Sequence, residues 1–123
     1  MKKKILLVDD MVEMVEMLQY RLESQGYDVM KAYNGKEAME KIRESRPDLI
    51  ILDAIMPPPD GFQICRDIKD DDEYKDIPVI MLTVRAGRDD EFWAKECGAD
   101  VFITKPYDTP ELLLKARILL GEA

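Results

Sequence analysis

Histidine is absent from the sequence, and cysteine occurs only twice. The absence of histidine excludes a zinc site built on imidazole and a histidine-based catalytic triad. Cys65 and Cys97 are far apart and lack the spacing of metal ligands, so we expect both to be reduced, half-buried helix residues. The chemistry of this chain must therefore rest on other side chains.

Long apolar runs are also absent, since none approaches the roughly 20 residues that span a membrane. The basic start of the chain precedes an apolar run of only four residues, Ile5–Val8, which is too short for a signal peptide. The net charge of −8 argues against binding to nucleic acid and favours a metal cation or a basic protein partner. We expect a cytoplasmic protein without membrane contact.

The 123 residues, 46% of them hydrophobic, suffice for one domain that spans residues 1–123. Five short apolar segments, each bounded by polar or turn residues, are typical of buried strands. The predicted strands are Ile5–Val8, Tyr27–Ala32, Leu49–Leu52, Val79–Leu82 and Val101–Thr104. The second strand alternates more and is more polar than the others, which indicates the edge of a sheet.

An amphipathic helix is predicted after each strand, and turn and capping residues mark the helix ends. Gly26 is expected to end the first helix, Asn34 to cap the second with Glu37 three residues later, and Asp60 with Gly61 to start the third. A fourth helix carries Phe92, Trp93 and Cys97. Thr109 is expected to cap the fifth, with Pro110 at its first position.

This alternation of strands and helices predicts an α/β fold, a doubly wound parallel sheet with helices on both faces. The polar second strand and the apolar first and third strands favour the (βα)5 flavodoxin-like order 2-1-3-4-5. In such a sheet the C-terminal ends of all strands share one edge, where ligands bind.

Polar side chains follow four of the predicted strands at that edge: Asp9 and Asp10, Asp53, Thr83 and Lys105. Carboxylates close together repel each other, and a bound Mg²⁺ relieves that repulsion through oxygen ligands. A carboxylate can also act as a nucleophile and form an aspartyl phosphate, with a hydroxyl and an ammonium group neutralising the phosphoryl oxygens. The set therefore predicts a phosphoryl-transfer site.

These motifs resemble the receiver domain of two-component response regulators, the CheY-like family, over about residues 3–120. The residues that carry the resemblance are Val8-Asp9-Asp10, Asp53, Met56-Pro57, Asp60-Gly61, Thr83 and Lys105-Pro106-Tyr107. The resemblance implies a signalling protein that catalyses only its own phosphorylation and dephosphorylation. Its partners would be a sensor histidine kinase or histidine phosphotransfer protein and a downstream effector protein, without direct contact with nucleic acid.

The resemblance also assigns roles to individual residues. Asp53 would be the phosphoacceptor. Asp9, Asp10, Asp53 and the backbone carbonyl of Ile55 would bind Mg²⁺. Thr83 and Lys105 would contact the phosphoryl group. Thr83 and Phe102 would switch conformation, and Pro106 would follow a cis peptide bond.

In this family the face formed by the fourth helix, the fifth strand and the fifth helix is the readout surface, and here it would include Trp93, Tyr107 and Lys115. The protein would be a monomer or a phosphorylation-dependent dimer. Val84 stands where a small residue is usual, and Arg85 and Ile55 occupy positions that influence dephosphorylation. We therefore expect slow hydrolysis of the phosphoryl group.

There are three alternatives, one from the same family and two from other classes of protein that fit these residues less well. The chain could be the N-terminal receiver module of a longer regulator with a DNA-binding or enzymatic output domain. A flavodoxin-like cofactor protein would need a phosphate-binding loop where Asp9 and Asp10 would repel phosphate. A haloacid-dehalogenase-type phosphatase would need a D-x-D motif after the first strand and usually a cap insertion, and neither is found.

Overall fold

A computed structural model describes residues 2–84, 92 and 95–122. Within these residues five parallel strands form one sheet in the order β2-β1-β3-β4-β5, which confirms the predicted topology. The strands are β1 (Lys4–Val8), β2 (Asp28–Ala32), β3 (Leu49–Asp53), β4 (Val79–Thr83) and β5 (Val101–Thr104).

Four helices are described over their full length: α1 (Val12–Ser24), α2 (Gly35–Glu44), α3 (Gly61–Asp70) and α4 (Thr109–Leu119). A further helix was predicted between β4 and β5. Phe92, Lys95 and Glu96 are helical there, whereas Arg85 and Trp93 lie outside the described residues. In the described part of the chain, no helix combines the length and the apolar character needed to cross a membrane.

Side chains at the helix starts explain why α2 and α3 begin where the sequence predicts. The Glu37 backbone N–H donates to Asn34 Oδ1 at 2.9 Å, and the Gln63 backbone N–H donates to Asp60 Oδ1 at 3.0 Å. The Glu37 carboxylate in turn accepts from the backbone N–H of Tyr33 at 2.8 Å. These bonds pair backbone donors that have no partner within the helix.

The predicted cap of the last helix was wrong by one residue. Asp108, not Thr109, is the N-cap residue, because the Leu112 backbone N–H donates to the Asp108 carbonyl and brings Thr109 into the first turn. Pro110 still lies in that first turn, where a missing N–H removes no intrahelical bond.

Alternate residues of the central strands form two separate hydrophobic clusters, one on each face of the sheet. On one face, Leu6, Ile50, Leu52 and Met81 pack with residues of α2 and α3. On the other face, Ile5, Leu7, Leu49, Ile51 and Ile80 pack with residues of α1 and α4. Strands β3 and β4 are buried along their whole length, so their C-terminal ends are held rigidly.

The two cysteines differ from the sequence-based expectation of half-buried helix residues. Cys65 lies on α3 with an exposed fraction of 0%, and Cys97 is 3% exposed in a turn that precedes Gly98. Both belong to the cluster on the α2 and α3 face. The expectation was wrong because the local sequence around a cysteine does not show which side chains pack over it.

Candidate functional site

The parallel register brings the predicted polar residues to one edge of the sheet. Asp9 directly follows β1, Asp53 and Thr83 are the last residues of β3 and β4, and Lys105 directly follows β5. Adjacent strands end at the same level, since Val8 pairs with Leu52 and Thr83 with Thr104. The fold therefore converts positions far apart in sequence into neighbours.

Three carboxylates lie together at this edge. One oxygen from each of Asp9, Asp10 and Asp53 lies within 4.8 Å of the other two. Asp9 and Asp53 are only 8% and 6% exposed, whereas Asp10 is exposed. The Met11 backbone N–H donates to Asp9 Oδ1 at 3.0 Å and fixes the orientation of that carboxylate. Asp10 is therefore the carboxylate of the cluster that faces solvent.

Lys105 supplies the positive charge next to these carboxylates. Its Nζ donates to Asp53 Oδ1 at 3.1 Å and lies 3.7 Å from Asp9 Oδ2. The Lys105 side chain is only 15% exposed, so water screens these pairs weakly. A single ammonium group thus faces two buried carboxylates and points directly at an oxygen of Asp53.

The pKa values of the two buried carboxyl groups are raised. Burial raises the pKa of Asp53, against the opposing effect of the hydrogen bond and charge of Lys105. Burial also raises the pKa of Asp9, while the Met11 N–H lowers it and the charge of Asp53 raises it further. Burial is therefore the main cause of both shifts, and it outweighs the stabilising effect of Lys105 on the two carboxylates.

The donor set suits a hard divalent cation. Carboxylate oxygens are the ligands that Mg²⁺ takes in proteins, usually one or two of them together with water and phosphate oxygens. The spacing of the three carboxylates and the raised pKa values of Asp9 and Asp53 fit such an ion. The residues present are therefore able to hold a metal ion.

The remaining predicted residues lie at different distances from the carboxylates. Thr83 is fully buried at the end of β4, and the Lys105–Pro106 peptide bond is cis. The backbone N–H of Ile55 contacts the Asp53 carboxylate, while its side chain is 55% exposed. Phe102 is half-buried on β5 and packs against the cluster on the α2 and α3 face. All of them lie on β3, β4 and β5 or in the loops that follow these strands.

Two residues of the motifs found in the sequence, Gly61 and Tyr107, have surroundings that the sequence did not predict. A Cβ atom on Gly61 would lie 2.1 Å from the carbonyl oxygen of Asp53 and 2.7 Å from Ala54 Cα, so glycine is needed for α3 to start against the end of β3. Tyr107 is half-buried beside Lys105, and burial raises the pKa of its hydroxyl. The Asp60-Gly61 motif carried a signal for the surroundings of Gly61, because glycine permits close backbone approach.

The comparisons with known proteins agree with this geometry. A sequence model described as the response regulator receiver domain matches residues 5–117. The fold and the acidic site thus define a CheY-like receiver of two-component signalling, which is a signalling protein and not a conventional enzyme. This chain belongs to the response regulator receiver domain family.

Solved structures of family members are closely similar over nearly the whole chain. The signal receiver domain of a signal transduction histidine kinase from Syntrophus aciditrophicus is 40% identical, with a TM-score of 0.92 over 97% of this chain and 90% of that one. Chemotaxis protein CheY4 of Vibrio cholerae is 31% identical, with a TM-score of 0.90 over 97% and 99%. A putative response regulator from Chloroflexus aurantiacus is 30% identical, with a TM-score of 0.93 over 98% and 99%.

Proposed function

We propose that Asp53 accepts a phosphoryl group from the phosphohistidine of a sensor histidine kinase or a histidine phosphotransfer protein, in a reaction that depends on Mg²⁺. The observation that carries this proposal is the position of the Asp53 carboxylate. It is buried at the C-terminal edge of the sheet, hydrogen-bonded to Lys105 and within a few ångströms of two other carboxylates.

In the proposed step an oxygen of the Asp53 carboxylate attacks phosphorus. An oxygen–phosphorus bond forms, the phosphorus–nitrogen bond breaks, and the electron pair of that bond remains on the imidazole nitrogen. Lys105 already contacts Asp53 Oδ1, so its ammonium group is placed to neutralise negative charge on the transferred group. The Thr83 hydroxyl would contact another phosphoryl oxygen.

Asp9, Asp10, Asp53 and the backbone carbonyl of Ile55 would hold the Mg²⁺ ion. When bound, the ion would neutralise the charge of the phosphoryl oxygens and of the crowded carboxylates. The support for this assignment is the close spacing of the three carboxylates and the effect of burial on the pKa values of Asp9 and Asp53.

Phosphorylation would change the conformation through Thr83 and Phe102. Thr83 is fully buried next to the acceptor strand, and Phe102 lies on the neighbouring strand β5 and is only partly buried. A movement of Thr83 toward the phosphoryl group would make room for Phe102 to turn inward. We propose that the altered surface controls a downstream effector protein without direct contact with nucleic acid. The protein would act as a monomer or as a phosphorylation-dependent dimer.

Phosphorylation by a small donor tests the proposal. The protein is incubated with acetyl phosphate and Mg²⁺, and the intact mass is compared with that of the Asp53→Asn variant and of a sample treated with a chelator. A gain of one phosphoryl group that both controls abolish is expected. A phosphorylated histidine kinase domain serves as a second donor, and failure with both donors would contradict the proposal.

The same chemistry serves a receiver that is one module of a longer signalling protein. The 40% identical relative is described as the receiver domain of a histidine kinase, which favours this arrangement as the second candidate. An immunoblot of the source cells distinguishes the two. A band near 14.2 kDa indicates a stand-alone receiver of residues 1–123, and a much larger band indicates a module of a longer chain.

A further inference from the structure

Two thiols that are 32 positions apart in the sequence meet beneath α3. Cys65 Sγ donates to the backbone carbonyl oxygen of Cys97 at 3.4 Å, and the two side chains are close enough for each to shift the pKa of the other. Both side chains are thiols in the structure and are buried in the same hydrophobic cluster. A disulfide can form only between cysteines that are close neighbours in the fold, as these two are.

The surroundings of Cys97 make its sulfur the more reactive of the two. Interaction with the Cys65 side chain lowers the pKa of Cys97, against the opposing effect of burial. The same interaction, together with burial, raises the pKa of Cys65. Because the thiolate is the nucleophile in thiol–disulfide exchange, Cys97 would react first.

A surface groove borders Cys97, which is 3% exposed, but not Cys65, which is 0% exposed. Cys97 lines a surface depression of about 370 Å³ together with Asp60, Phe62, Gln63 and Arg66. Cys65 lies one helical turn from Gly61 on the same helix but is completely covered. A reagent in the groove would therefore meet Cys97 before Cys65.

We propose that Cys65 and Cys97 form an intramolecular disulfide when a small organic disulfide acts as the oxidant, which makes this pair a redox-sensitive modification site. The Cys97 thiolate attacks one sulfur of the oxidant, forms a mixed disulfide and releases one thiolate, which takes up a proton. Cys65 then loses its proton and attacks the Cys97 sulfur, and the second thiolate leaves and is protonated. Two protein thiols are oxidised and one oxidant disulfide is reduced to two thiols.

The cross-link would join α3 to the turn that precedes β5. Strand β4 lies between the two cysteines in the chain, so the closed loop includes the end of β4 at Thr83. A disulfide of this kind restricts the unfolded chain and holds two elements of one face together.

The test uses the folded chain and 2-hydroxyethyl disulfide as the oxidant. After treatment the protein is unfolded and alkylated with N-ethylmaleimide, and its intact mass is measured by mass spectrometry. The proposal predicts a monomer that is lighter by two hydrogen atoms and carries no alkyl group, with a Cys65–Cys97 peptide after digestion. Cys65→Ser should stop at a mixed disulfide on Cys97, and Cys97→Ser should remain unmodified.

A parallel sample that is oxidised in concentrated urea shows that the reagent can oxidise both thiols in the absence of structure. Circular dichroism verifies that each serine variant is folded. The proposal is overturned if both thiols of the folded wild-type chain remain open to alkylation while the unfolded sample is oxidised. Mixed disulfides on both cysteines, or a covalent dimer, would also overturn it.

Discussion

Replacement of Gly61 by alanine should both destabilise the protein and disturb the acceptor aspartate. Gly61 is the first residue of α3, and within a helix alanine is normally more favourable than glycine by about 1 kcal/mol. Here a Cβ atom would lie 2.1 Å from the carbonyl oxygen of Asp53, well below any normal contact. The steric conflict involves backbone atoms, which cannot move away as a flexible side chain could.

The expected loss follows from the size of the overlap. To reach even a very tight contact of 3.0 Å, the start of α3 and the end of β3 must separate by about 1 Å. Both belong to a closely packed face, so we expect a loss of about 3 kcal/mol in the free energy of unfolding. With a denaturant slope of about 2 kcal/mol/M, the urea midpoint should fall by about 1.5 M.

Gly26→Ala is the matched control. Gly26 has a φ of +94°, which alanine adopts at a cost of about 1 kcal/mol, but a Cβ atom there meets nothing within 4 Å. Urea unfolding and the initial rate of phosphorylation are measured for both variants. If Gly61→Ala loses no more stability than Gly26→Ala and phosphorylates at the same rate, the close approach does not position Asp53.

Three further predictions concern the site itself. Val84 lies beside the site with 56% of its surface exposed, and we expect the phosphoryl group to persist for longer than seconds. Val84→Ala should speed hydrolysis of the phosphoryl group about tenfold because it admits water. An equal rate of phosphoryl loss in both proteins, followed by mass, would argue against this role. Lys105→Met should slow phosphorylation by acetyl phosphate at least about 100-fold, because it removes the ammonium group 3.1 Å from Asp53 Oδ1; a rate close to that of the wild type would refute the assigned role. In metal-free buffer, the free energy of unfolding of the wild type should fall as the pH rises above about 4 toward neutrality. Urea titrations should show a smaller fall for Asp53→Asn. The raised pKa of Asp53 means that the folded state binds its proton more tightly than the unfolded state does. The resulting contribution to the free energy of unfolding is complete below the ordinary pKa of 3.8 and disappears as the pH passes the raised pKa. An identical pH dependence in the variant would contradict the last prediction.

The strand order was predictable because each strand has its own pattern of burial. Leu49–Leu52 is apolar without interruption, which requires cover on both faces, whereas β2 is polar enough for an edge. Once the order is known, the strand ends fall at one edge, with Asp53 and Lys105 on either side of the end of β4, where the long lysine side chain reaches Asp53.

Other features depend on tertiary contacts that leave no local pattern. The meeting of Cys65 and Cys97 depends on how α3 packs over the turn before β5, and nothing in the sequence around either residue encodes that distance. The start of the last helix shifted because the Asp108 carbonyl accepts the first helical bond, a choice between adjacent residues that both suit a cap. Capping residues predict a helix end only to within a residue or two.

The most direct test of the central claim identifies the residue that carries the phosphoryl group. The protein is phosphorylated with acetyl phosphate and Mg²⁺, reduced with borohydride, which converts an aspartyl phosphate into homoserine, and digested for mass spectrometry. The account predicts homoserine at position 53 and at no other aspartate. Homoserine at Asp9, Asp10 or Asp60 with position 53 unchanged would contradict it.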